Sequence, residues 1–341
     1  MVSEGLAFND LDSWRRWSAR RSAARTVLST LRRQVRRRPQ TPPDAVLTLP
    51  AEDPQVLVVI DGGSASWRLA LGRVVARLDP RRTAVLSRLP EAADLVPDGH
   101  ASPWTPGDRL PGVDAVLSLG AFNDLAGRVR PWCRERDVRF VVAQHGLLTP
   151  WAPPSVDGDH YLAWSQADAD FQTAGRPAVT CEVVGSQMLW EAARMPAADL
   201  LDDRPVMLGQ LHGIELPRAS EQLLYTDFCT RFDADYRPHP NEADAISRAQ
   251  HAVMRRAGVR FETSGASLPE LGRPVVSIFS TGTLEAAQRG LPAWVHHPDP
   301  PAWVRDFWSR YGLSPFGSAP TAAAALPDVE PAIATARAVM S

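Results

Sequence analysis

Short β-branched runs that stop at glycine or a polar loop, then hand over to helical patterns, recur along most of this chain. Gln55–Ile60 stops at Asp61-Gly62-Gly63, with a helical pattern over 66–78; Thr83–Ser87 is a second run. Ala115–Leu119 stops at Gly120 and leads to a helix ending near Arg136; Arg139–Ala143 stops at Gln144-His145-Gly146, and His160–Trp164 follows. After 202–205 the series restarts with Val206–Gln210, a helix over 220–228, Phe232–Tyr236 leading into Arg237-Pro238-His239-Pro240, and a helix over 244–257. Pro274–Phe279 ends at Ser280-Thr281-Gly282-Thr283, a helix opens at Leu284, and Pro292–His296 closes the series. Strands that are apolar almost throughout, separated by helices, indicate parallel sheets covered on both faces. The fold class is α/β. The break near residue 200 divides it into an N-terminal segment and linker 1–44, a domain over 45–200 and a second over 201–341.

A chain of 341 residues is long enough for two domains. Its net charge of −2 gives no argument for nucleic acid. Cys133, Cys181 and Cys229 lie far apart with no CxxC pair, so they read as small hydrophobes of a reducing compartment. No apolar run reaches the ~18 residues of a membrane span, and the acidic start lacks the h-region of a signal peptide. Cytoplasmic residence is expected. Residues 13–38 hold no acid but many arginines, with Trp14, Trp17, Leu28 and Leu31 at roughly helical spacing. Such a segment either lies on an anionic membrane surface or packs on the domain as a solvated helix; its one-sided charge favours the membrane. Pro39–Pro43 then breaks the helix.

Ligands of open parallel sheets bind at the carboxyl ends of the strands, and three polar clusters fall there. In Ser280-Thr281-Gly282-Thr283-Leu284-Glu285 a hydroxyl-rich loop opens a helix, which offers backbone N–H groups and a positive dipole end to a phosphate. Gly282 permits close approach, and Glu285 accepts hydrogen bonds from ribose hydroxyls. The bland alternative is an ordinary N-cap with its capping glutamate. In Arg237–Glu242 a proline-stiffened turn projects Arg237 and His239, both able to donate to phosphate. His239 is also suited to protonate a leaving phosphate; alternatively it is a structural turn histidine. In Gln144-His145-Gly146 the glycine lets the chain turn and exposes His145 as a base for an acceptor hydroxyl. Otherwise His145 caps the strand by bonding a carbonyl.

Other signals are weaker. Asp168 and Asp170 lie in a helical pattern, where positions i and i+2 diverge. Asp233-Ala234-Asp235 and His296-His297 give no convincing metal site, and neither GxGxxG nor a P-loop is present. No metal and no cofactor are expected.

With these clusters in this order, the chain resembles the GT-B enzymes of envelope glycan assembly, namely capsule and sialic-type glycosyltransferases and the CDP-glycerol glycerophosphotransferases. The matching residues are Gln144-His145-Gly146, Val183–Ser186, Arg237–Pro240 and Ser280–Pro292. The resemblance implies two Rossmann-like domains whose parallel sheets face a central cleft, with the last helix crossing back to the first domain. It implies His145 as general base, Arg237 and His239 as phosphate ligands, and Ser280, Thr281, Thr283 and Glu285 as donor binders, beside Gln144, Gly146 and Gly282. The substrates implied are a nucleotide-activated sugar and a glycan or lipid-linked acceptor. Ile278 and Phe279 stand where the glycerophosphotransferases commonly carry an acid, which favours sugar over polyol-phosphate transfer. Arg237–Asn241 is also similar to the His-Pro-Asn stretch of UDP-sugar 2-epimerases. A catalytically inactive scaffold of the same fold is the remaining alternative.

Overall fold

The computed structural model describes residues 5–21, 45–62, 67–105 and 110–341. They form two compact α/β units. Residues 5–15, 45–190 and 326–341 make the first, and 16–21 with 191–325 the second.

The first unit is built on eight strands: β1 (Val46–Leu49), β2 (Val56–Ile60), β3 (Thr83–Ser87), β4 (His100–Pro103), β5 (Ala115–Ser118), β6 (Arg139–Ala143), β7 (Asp159–Ala163) and β8 (Thr180–Val183). Their order is β4-β1-β3-β2-β5-β6-β7-β8. From β3 to β8 all neighbours are parallel, while β1 runs antiparallel to β3 and β4. Alternate residues of the same strand feed opposite cores, as the period of two requires. Leu57, Val59, Val116 and Phe140 pack on one side with the helix Asp124–Arg136. Val58, Ile60, Leu117 and Val141 pack on the other, where Ala332, Ala336 and Val339 of the last helix, Pro331–Met340, cover them.

The antiparallel pair β1 and β4 was not foreseen. The β4 segment is an exposed edge of sequence His-Ala-Ser-Pro, with no apolar alternation to reveal it. Proline is tolerated there because an edge strand need not donate on its outer side.

Arg130, buried on the helix Asp124–Arg136, donates from Nε to Asp159 Oδ1 at 2.6 Å and from Nη2 to the Asp157 carbonyl at 2.9 Å. The other Asp159 oxygen accepts the Val156 N–H at 2.7 Å. This pair fixes the entry to β7 and therefore the register of the sheet's outer half.

Residues 11–21 are helical. Trp14 donates from its indole to the Trp151 carbonyl at 2.9 Å and meets Phe122 edge-on, and Arg15 donates to the Ala121 carbonyl at 2.9 Å. These two side chains of the arginine-rich segment are thus committed to the domain surface. Residues 22–38 of that segment lie outside the described residues. No helix among the described residues is long and apolar enough to cross a membrane.

The second unit holds β9 (Val206–Leu208), β10 (Asp235–Arg237), β11 (Arg260–Phe261), β12 (Val275–Ser277) and β13 (Ala293–Val295) in the order β11-β10-β9-β12-β13, all parallel. The first strand in the chain lies at the centre and the order reverses between β9 and β12. This is the Rossmann-like arrangement, and its topological switch point is where ligands enter such sheets. Both central strands are shorter than their apolar runs suggest. β9 stops at Leu208 because Gly209 turns the chain, and β12 stops at Ser277, three residues before Ser280 caps the next helix.

Candidate functional site

The loops leaving β9, β10 and β12 converge at that switch point. Gln210, after β9, accepts the Phe279 N–H of the β12 loop on its Oε1 at 3.2 Å, which ties the two loops across the reversal. Beside them lies a depression of about 260 Å³ lined chiefly by Gln210, His212, Ile214, Glu215 and Phe279. His212, from the β9 loop, stacks on His239, from the β10 loop, with ring centroids 3.9 Å apart and planes inclined by 19°.

One carboxylate holds both histidine loops. Glu242 Oε1 accepts the backbone N–H of Leu211 at 3.0 Å and of His239 at 3.2 Å. Its Oε2 accepts the Tyr236 hydroxyl at 2.8 Å and lies 2.8 Å from His251 Nε2. The Leu211 and His239 N–H groups and the Tyr236 hydroxyl all donate to it. Gly209 is required underneath. A Cβ there would land on the Tyr236 hydroxyl and within 2.7 Å of Glu242 Oε1. Gly209→Ala is expected to cost about 1–3 kcal/mol by overpacking. Chemical denaturation of the variant checks this; an unchanged midpoint would mean that the hub yields easily.

His239 Nδ1 accepts the Asn241 N–H at 3.1 Å, so the neutral ring carries its proton on Nε2. Burial, only partly offset by Glu242, pulls the imidazole below its usual pKa and keeps it neutral. The arrangement supplies a hydrogen-bond donor. It does not favour the proton-donor role foreseen for His239, since the imidazolium would forfeit the Asn241 bond.

The remaining foreseen residues divide. Ser280 caps the helix Thr281–Gln288, accepting the Gly282 N–H on Oγ at 3.2 Å. Thr283 is wholly buried and shares a 2.7 Å hydrogen bond with Ser277, so its hydroxyl faces the core and not the crevice. At Gly282 the missing side chain makes room for Leu208, whose Cδ1 would lie 2.8 Å from a Cβ. Arg237 donates to the Ala266 carbonyl at 2.6 Å and lies 3.2 Å from Glu262, so its guanidinium is largely engaged within the unit. Glu285 is half-buried; desolvation raises its pKa against the pull of Arg289 and Arg237. Thr281 occupies the first helical turn.

Gln144, His145 and Gly146 belong to the first unit. The Gln144 amide is spent on its own loop: Nε2 donates to the Gly146 carbonyl at 2.9 Å and Oε1 accepts the Trp164 N–H at 2.8 Å. His145 hydrogen-bonds the Ala143 carbonyl, stacks on Phe122 at 6.2 Å, and is held neutral by burial. A neutral imidazole with one nitrogen committed to a carbonyl presents the other as an acceptor, which is the form a general base needs. At this unit's own switch point, between β2 and β5, Asp61 accepts the Leu125 and Ala126 N–H groups at 2.5 and 3.1 Å. A side chain of the chain itself therefore occupies that helix N-terminus.

His212 and Glu242 escaped sequence reasoning. A histidine bracketed by Leu211 and Gly213 carries little local signal, and Glu242 was visible only as the polar end of a proline turn. Glu221 is another. It is 2% exposed, neither of its oxygens is hydrogen-bonded, and burial with Glu215 and Glu242 nearby pushes its pKa well up.

No family model matches the chain, and no curated protein matches it. Among solved structures it is similar to a UDP-GlcNAc 2-epimerase from Methanocaldococcus jannaschii, at 12% identity and a TM-score of 0.43, over 84% of this chain and 92% of that one. Likeness at this level says nothing of the chain's chemistry, which rests on the residues themselves.

Proposed function

We propose that the crevice at the carboxyl ends of β9, β10 and β12 holds the phosphates of a nucleotide-activated sugar, and that the protein is a glycosyltransferase acting on a cell-surface glycan or related acceptor. The observation that carries this is the His212–His239 stack, tied to the strand ends by Glu242 and set at the switch point beside a helix opening at Thr281. The neutral His239 imidazole N–H and a helix N-terminus are donors suited to the charge that grows on a departing nucleotide. In this reading His239 stabilises that charge as a donor. No step in it calls on a metal, because N–H donors and the helix dipole meet the phosphate charge.

A thermal-shift screen of the protein against CMP, CDP, UDP, GDP and dTDP, with and without magnesium, tests the reading. Ligand at about 100 times its Kd stabilises the folded state by about 2.7 kcal/mol. A rise of several degrees with one of these nucleotides, indifferent to magnesium, is the expected result. No shift with any of them would overturn the reading and favour an inactive scaffold.

A further inference from the structure

We propose that Glu242 is the positioning residue of this crevice, setting both the orientation and the tautomer of His239 and seating His212 against it. The inference rests on the proposed function only for its consequence in binding; the ring geometry stands by itself.

Three features separate this from ordinary core packing. First, Glu242 reaches the β10 loop through side chain and backbone together: Oε1 accepts the His239 N–H at 3.2 Å, while the Glu242 N–H donates to the His239 carbonyl at 2.8 Å. These reciprocal bonds close His239–Glu242 into a tight turn, and closure brings the Asn241 N–H to His239 Nδ1. The tautomer therefore follows from the turn. Second, the same Oε1 takes the N–H of Leu211, the residue before His212. One oxygen thus fixes the two backbones whose rings stack. Third, Oε2 accepts the Tyr236 hydroxyl and lies 2.8 Å from His251 Nε2, so the carboxylate cannot swing away without leaving the buried Tyr236 hydroxyl unpaired. An amide at this position could accept on one side only, and an aspartate is too short to reach both anchors and loops.

The test uses the full chain labelled with 15N-histidine, with the ring signals of His239 assigned by His239→Gln. Wild type is expected to show His239 as a single Nε2–H tautomer. Glu242→Gln and the charge-preserving Glu242→Asp are both expected to give averaged ring-nitrogen shifts for His239 and displaced signals for His212. Should Glu242→Gln not fold, Glu242→Asp decides. A folded variant whose His239 and His212 signals match wild type, however much stability it has lost, would overturn the proposal. In parallel, the affinity for the nucleoside diphosphate that stabilises wild type is expected to fall at least tenfold in Glu242→Asp. If wild type binds none, the functional reading falls, while the ring-nitrogen spectra still decide the role of Glu242.

Discussion

Replacing His239 by alanine is expected to weaken nucleoside-diphosphate binding by roughly tenfold to a hundredfold, with little loss of stability. The ring is the polar group of the β10 loop whose donor the Asn241 bond leaves available, since Nδ1 is taken. A hydrogen bond to a charged oxygen is worth about 1.5–3 kcal/mol, and about 1.4 kcal/mol is tenfold in affinity. Loss of the ring also removes the surface on which His212 stacks, which moves the second imidazole out of register. The loop itself should survive, because Glu242 holds its backbone and not its ring. Titration calorimetry with the variant and an unfolding curve measure the two effects separately. An affinity within about threefold of wild type would show that the phosphates lie elsewhere.

Asp159→Ala is expected to destabilise the first unit by about 3–5 kcal/mol, because it strands Arg130 as an unpaired buried charge. The Val156 N–H loses its acceptor as well. Removing one partner of such a pair costs far more than the pair contributes. Burial indeed pushes the Asp159 carboxyl from 3.8 up to about 6, against the opposing pull of Val156 and Arg130. An acid whose folded pKa is raised adds stability below its unfolded pKa and loses it as pH rises through the folded value. The window here runs from about pH 4 to about pH 6. Asp159→Asn has no such titration. The advantage of wild type over it should shrink between pH 4 and pH 7 in denaturant titrations, and a constant difference would contradict the assignment.

The interior parallel strands were legible in the sequence because they are apolar almost throughout, as strands buried on both faces tend to be. Val56–Ile60, Thr83–Ser87 and Arg139–Ala143 lie where their β-branched runs placed them. The edges were not legible. His100–Pro103 and Thr180–Val183 are largely exposed, so their strand state comes from a neighbour and not from their own pattern. The helix after Ser280 starts three residues before the apolar pattern suggests, because the serine cap and not the first leucine sets its beginning.

The candidate site was half legible. The three clusters do stand at strand ends, since a loop after a buried strand is short and polar wherever it occurs. Which side chains of a cluster face the crevice depends on partners distant in sequence. Thr283 turns inward to Ser277, and Arg237 turns to Glu262, a residue 25 positions on. Glu242 acquires its role from Leu211, which lies 31 positions before it, and no spacing rule connects them.

The most direct measurement is amide hydrogen exchange of the full chain with and without saturating amounts of the nucleotide that stabilises it. The account predicts added protection concentrated at residues 209–215, 237–242 and 279–283, the loops that leave β9, β10 and β12. Protection confined to other segments, or none at these loops with the nucleotide demonstrably bound, would contradict it.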